Sequence, residues 1–322
     1  MLDVETIRRA LGRPLRETGF AGLGTKQAGK VRDSYTTGDG RRYIVTTDRI
    51  SAFDRVLGTL PLKGQLLQRA SNFWFERTAA VAPNHVLAIP DPNVTVVREC
   101  RPLAVEMVVR AYLTGVTGTS IWTHYAQGRR VFCGHRLPDG LRKNEPLAAP
   151  MLTPSSKAGH GAHDVSMSRQ ELIEAGLVAP QDFDAAADMA MALFRFGQQH
   201  CAERGLILVD TKYEIGRDRK GTLRVIDEVH TPDSSRFWFA ASYERRLSAC
   251  LEPESFDKEF VRRHLAEQGF TGDGPVPAIP DEVRVEAVQR YAQAVEAITG
   301  RSFEPDLDDP LPRIARNLGL TP

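Results

Sequence analysis

GLILVDTKYEIGRDRKGTLRVIDEVHTPDSSRFWF, residues 205–239, is the stretch on which the fold turns. Leu206 to Ile215 is a run of β-formers that stops at Gly216, which predicts a strand. Side chains alternate between the faces of a strand, so Asp210, Lys212 and Glu214 share one face. Ile207, Val209, Thr211, Tyr213 and Ile215 share the other, which reads as the packed side. A second strand, Leu223 to Val229, follows a polar loop bounded by glycine and carries Asp227 and Glu228. Adjacent strands of this kind bring four carboxylates and a lysine together, and like charges repel unless a cation sits among them. A divalent metal with hard oxygen ligands, Mg2+ bridging phosphates, suits such a face. A hairpin with a solvated charged side is the other reading of the same spacing.

Working outward, the 322 residues suffice for one large domain or two ordinary ones. A formal net charge of +1 indicates neither nucleic acid nor an anionic membrane as partner, so anionic ligands must be met by local clusters. No segment approaches the roughly 18 apolar residues in a row of a spanning helix, and the start has no apolar targeting region. A cytoplasmic protein is expected. Cys100, Cys133, Cys201 and Cys250 are far apart and form no CxxC pair, so free thiols are expected rather than disulfides or a zinc site.

Upstream, Gly24 to Lys30 spells GxxxxGK, but Val31 follows where a nucleotide-binding P-loop needs Ser or Thr. The sequel reads as two strands around Gly38-Asp-Gly40. A glycine-rich hairpin with Lys30 and Arg32 can still cover phosphates; a flexible basic turn is the plainer reading. Pro61 to Gly64 open a helix from Gln65 to about Ala80, and Lys63 and Gly64 lie at its N-terminus, which would favour an anion. Val94 to Glu99 and Leu103 to Tyr112 read as strands. Arg110 ends the second, so burial would demand an anionic partner, Glu106 or another. Leu113 to Ser120 is a loop of small and hydroxylated residues.

Residues 133 to 168 read as an irregular passage with several prolines, and they hold His160 and His163 without a zincin helix pattern. Ser168 to Glu171 is a capping box. Helices are expected at about Phe183 to Glu203, Phe256 to Gln268 and Asp281 to Thr299, with a tail after Gly300 wrapping the surface.

Several motifs recur in the order of one family. They are Gly29-Lys-Val-Arg-Asp33, Thr47-Asp-Arg-Ile-Ser-Ala-Phe-Asp54, Lys63-Gly64 before Phe73-Trp-Phe75, and Val108-Val-Arg-Ala-Tyr-Leu-Thr-Gly115. Thr153-Pro-Ser-Ser-Lys157, His163-Asp164, Asp210-Thr-Lys-Tyr-Glu-Ile-Gly216 and Asp227 to Trp238 continue the series. In these the chain resembles the phosphoribosylaminoimidazole-succinocarboxamide synthase, or SAICAR synthetase, family, and Tyr291 to Gly300 resembles its longer, yeast-type branch.

The resemblance implies ATP-driven ligation of 5-aminoimidazole-4-carboxy ribonucleotide (CAIR) with L-aspartate, a step of purine biosynthesis. It implies an α+β (mixed α/β) fold: a β-rich, kinase-like part over residues 1–92, an ATP-grasp-like α/β part over 93–270, and a linker, helix and tail over 271–322. By position it implies Mg2+ on Glu214 and Asp227, a nucleotide contact by Lys212, and phosphate cover by Lys30 and Arg32. Arg110 and Arg236, with Gly115 or Ser120, fall on the ribonucleotide and aspartate side, and Lys212, Arg110 and Arg236 are the catalytic candidates. Asp48, Ser51 and Asp54 match positions lining the ribonucleotide site, and Lys157, His163, Asp164 and Ser235 also match substrate positions. The passage Thr114 to Ser120 is longer than the family's usual one. His163, Asp164 and His230 are candidates for a general base. A monomer or small homo-oligomer working on small molecules is expected.

Overall fold

The computed structural model describes residues 2–52, 55–157, 164–256, 259–270 and 272–320. After α1 (Val4–Ala10) come β1 (Thr25–Ala28), β2 (Arg32–Thr36) and β3 (Arg41–Thr46), then the hairpin of β4 (Arg49–Ala52) and β5 (Arg55–Thr59). Helix α2 (Lys63–Arg77) precedes β6 (Val86–Asp91) and β7 (Val94–Arg98). These strands form an antiparallel sheet in the order β1-β2-β3-β7-β6. Since β6 and β7 pair with each other, this sheet runs on to Arg98, past residues 92 and 93.

The second sheet starts with β8 (Cys100–Tyr112). Next in the chain are α3 (Ile121–Ala126), β9 (Val131–Phe132), β10 (His135–Arg136), β11 (Pro146–Leu152), β12 (Ser155–Ser156), α4 (Arg169–Glu174) and α5 (Pro180–Ala202). Then come β13 (Leu206–Asp218), β14 (Leu223–Ile226), β15 (Ser235–Phe239), α6 (Ala240–Ser248), α7 (Glu259–Glu267), α8 (Asp281–Thr299) and α9 (Pro310–Asn317). The sheet order is β11-β8-β13-β14, with β12 on β8 and β15 on β13. The passage expected to be irregular therefore contributes strands. Pro146 and Pro150 are tolerated because β11 is an edge strand whose register slips between Pro146 and Met151.

One face of this sheet packs on α5. Phe183, Ala186, Ala190, Leu193, Phe194 and Cys201 recur at helical spacing and meet Met107, Val109, Tyr213 and Ile215. Each fully buried large apolar side chain contributes roughly 1.5–3 kcal/mol. The expected alternation along β13 breaks once. Leu206 and Leu208 join Tyr213 and Ile215 in this core, whereas Val209 packs with Trp238 and Tyr243 on the other side. A bulge between Leu208 and Asp210, opposite Phe237 and Arg236, changes the phase. It leaves Asp210, Lys212 and Glu214 on the open face.

Helix α8 lays Val285, Val288, Tyr291, Ala292 and Val295 into a second core with Leu66, Leu67 and Ala70 of α2. The tail does more than wrap the surface. Arg313 of α9 is 1% exposed and binds Asp91 at the end of β6 (3.0 Å). No helix among the described residues is long and apolar enough to cross a membrane.

Candidate active site

The register of β8 against β13 sets the chemistry. Arg110 lies opposite Asp210, Val108 opposite Lys212, and Glu106 opposite Glu214. Two glutamates facing each other repel, and the next side chain along resolves the conflict. Lys212 Nζ stands 2.8 Å from Glu214, 3.3 Å from Glu106 and 3.8 Å from Asp227. Burial opposes the charge on Lys212, but Glu214, Glu106 and Asp227 outweigh it and raise the ammonium's pKa well above its ordinary value.

The carboxylates around it diverge. Burial raises Glu106 and Asp227 despite their cationic neighbours. Burial also opposes ionisation of Glu214, yet Lys212 and the ion-paired Lys157 outweigh it and hold Glu214 at about 2. Arg32, the last piece of the node, binds Asp227 (3.0 Å) and Glu228 (2.6 Å) from the first sheet. The glycine-rich hairpin that carries it forms as expected, β1 pairing with β2. Arg49 fixes its turn by donating to the carbonyls of Gly29 and Lys30 (2.9 and 3.1 Å).

A cavity of about 290 Å3 opens beside Lys212. Its far wall holds Arg110 and Arg236, which share Asp210 at 3.6 and 2.5 Å. Arg110 is thus partnered by Asp210, not by Glu106. Burial lowers its pKa, Asp210 opposing and Arg236 adding to the shift. Its Nε donates to Thr153 and an Nη to the carbonyl of Thr119. Ser120 Oγ, bonded to the Thr117 hydroxyl at 2.8 Å, lies on the wall as well. Gly115 is required there: its φ is +96° and a Cβ would lie 2.4 Å from Ser120 Oγ. Asp164 and Ser235 also line the cavity, Ser235 donating to Thr211 (2.7 Å).

Other expectations are redirected. Asp48 does not line this cavity: its carboxylate accepts from the backbone N–H groups of Leu15 and Gly64, both at 2.8 Å. The anion expected at the start of α2 is therefore a side chain of the chain itself. Ser51 sits on β4, also away from the cavity wall. Asp54, His160 and His163 lie outside the described residues. His230 is fully buried, its Nε2 bonded to the Tyr213 hydroxyl, and burial lowers it to about 3. It cannot reach a substrate as a base. Asp233, inside the Asp227 to Trp238 motif, and Arg262 also stand on the cavity wall, and Arg262 carried no local signal in the sequence. Arg262 comes from α7, far from β13 in the chain.

A family model described as SAICAR synthetase matches residues 25–277. The chain belongs to the SAICAR synthetase family. A phosphoribosylaminoimidazole-succinocarboxamide synthase of Legionella pneumophila (strain Lens) is 46% identical over 290 residues, 90% of this chain and 92% of its own. The chloroplastic synthase of Arabidopsis thaliana is 45% identical over 319 residues, 97% of this chain and 77% of the plant protein. SAICAR synthase from Saccharomyces cerevisiae, solved in complex with SAICAR, matches with a TM-score of 0.77 at 29% identity, over 90% of this chain and all of the yeast chain (100%). Within the SAICAR synthetase family the mixed α+β architecture of this chain is thus the expected one.

Proposed function

We propose that this SAICAR synthetase family member ligates CAIR with L-aspartate, converting ATP to ADP and phosphate, through an acyl phosphate. The observation that carries the reading is the Lys212 node, where an ammonium among three carboxylates adjoins a cavity walled by Arg110 and Arg236. A carboxylate is a poor acyl donor because oxide would have to leave. In the proposed route a CAIR carboxylate oxygen attacks the γ-phosphorus and ADP departs. The aspartate amine then attacks the acyl carbon and phosphate leaves with that oxygen, the amine losing its proton. Catalysis reduces to holding anions in line and neutralising charge.

Each residue then has a task. Lys212, Arg32 and Lys30 meet the nucleotide phosphates, and Arg110, Arg236 and Ser120 hold the anionic substrates, arginine suiting phosphate or carboxylate bidentately. Glu214 and Asp227 would hold Mg2+. Their hard oxygens fit it, and with Glu106 and Glu228 they make four carboxylates that share Lys212, Lys157 and Arg32 as cationic partners. Among the described residues no three metal-binding side chains could hold an ion unaided, so the phosphates would complete its shell. When bound, the ion would neutralise charge on the nucleotide phosphates.

Purified protein should release ADP only when ATP, CAIR and L-aspartate are all present. ADP formed from ATP and CAIR without aspartate would make the site that of a phosphotransferase.

A further inference from the structure

The last long helix, α8, begins at Asp281, beyond the segment matching the family model, yet it holds a residue of the cavity wall. Tyr291 of α8 donates its hydroxyl hydrogen to Asp233 Oδ1 (2.6 Å), and Lys63 at the start of α2 binds Oδ2 (2.7 Å). Lys63 is fully buried, and its ammonium lies 5.5 Å from the Tyr291 ring centroid. Asp233 lines the cavity; Lys63 and Tyr291 do not. These two groups therefore grip the carboxylate from behind the wall. Asp210 and Glu106 are gripped differently, by Arg236 and Lys212, which stand on the wall themselves.

We propose that Asp233 receives the ammonium group of the amino-acid substrate and that Tyr291 is a positioning residue that sets the carboxylate's rotamer. The inference rests on the ligase reading above. Aspartate brings two carboxylates and one ammonium, so its site needs one anion among cations. Arg110 and Arg236 supply positive charge, and Asp233 supplies the opposite sign on the same wall. Tyr291 and Lys63 occupy two of the roughly four lone-pair positions of the ionised carboxylate. Their hold from behind fixes which face it turns inward.

Steady-state kinetics on the full chain test this, with L-malate as a competitive probe carrying a hydroxyl where aspartate has its ammonium. Asp233→Asn should raise KM for L-aspartate about 10- to 100-fold, the size of a lost charge-assisted bond. KM for ATP should stay within about threefold, and the Ki of L-malate should not change. Tyr291→Phe should raise KM for L-aspartate about three- to tenfold with kcat nearly unchanged, whereas loss of mere packing would move KM for ATP and kcat as well. Unchanged KM for aspartate in either variant, or equal weakening of aspartate and malate, would overturn the assignment. If Asp233→Asn does not fold, Tyr291→Phe decides alone. A wild-type protein whose ADP release ignores aspartate overturns the ligase reading first, and this assignment with it.

Discussion

Asp48 is a buried acidic group and the Glu214–Asp227 pair a half-buried one, and they are partnered in opposite ways. Asp48 is held by two backbone N–H groups, which cannot withdraw without unravelling the start of α2. Glu214 and Asp227 are held by Lys212, Lys157 and Arg32, whose charged ends sit on rotatable stems. A metal ion or a phosphate can displace a lysine from a carboxylate, but nothing replaces a backbone amide. Buried charge marks a reaction site where its partners are free to leave.

That contrast can be broken at several points. Replacing Lys212 with Met should lower kcat/KM about 10³-fold, or ~4 kcal/mol of transition-state stabilisation, in an ADP-release assay with circular dichroism to confirm folding. Asp48→Ala should instead cost about 2–4 kcal/mol of stability in urea unfolding, since two buried N–H groups lose their acceptor, and leave KM for ATP unchanged.

The two sites should also separate by pH. Burial raises Asp48 to about 6, its bonds from Gly64 and Leu15 only partly opposing the shift. Its contribution to stability is thus fully present below the unfolded value near 3.8 and is lost as pH rises through about 6. Between pH 7 and pH 4 the wild type should gain up to about 3 kcal/mol relative to Asp48→Asn. Glu214 has the opposite sign: its stabilisation is present above 4.5 and fades as pH falls towards 2.

Glu214→Gln should reduce kcat about 10²-fold, and its loss of stability relative to the wild type in urea unfolding should shrink as pH falls from 4.5 towards 2. The mildest change is Gly197→Ala, away from both sites. A Cβ there would lie 2.4 Å from His230 Cε1, so a loss of about 1–3 kcal/mol in stability is expected with KM values unaltered.

Local pattern carried the reading of the sequence a long way. The β-former run at Leu206, the capping box at Ser168 and the span Asp281–Thr299 are written in periodicity and end signals, and the structure keeps them. Three features escaped because they depend on partners distant in the chain. The bulge at Asp210 exists only relative to β15, and the strand Pro146–Leu152 only relative to β8. Asp48 accepts from the N–H groups of Leu15 and Gly64, contacts that exist only once both segments fold over it. Likewise Asp233 gains meaning from Lys63 and Tyr291, 170 and 58 residues away.

The central claim is that this site activates a carboxylate by phosphoryl transfer, and oxygen tracing tests it most directly. CAIR labelled with 18O in its carboxylate should pass one labelled oxygen to inorganic phosphate for each SAICAR formed. Phosphate free of label, with SAICAR still produced, would contradict the account.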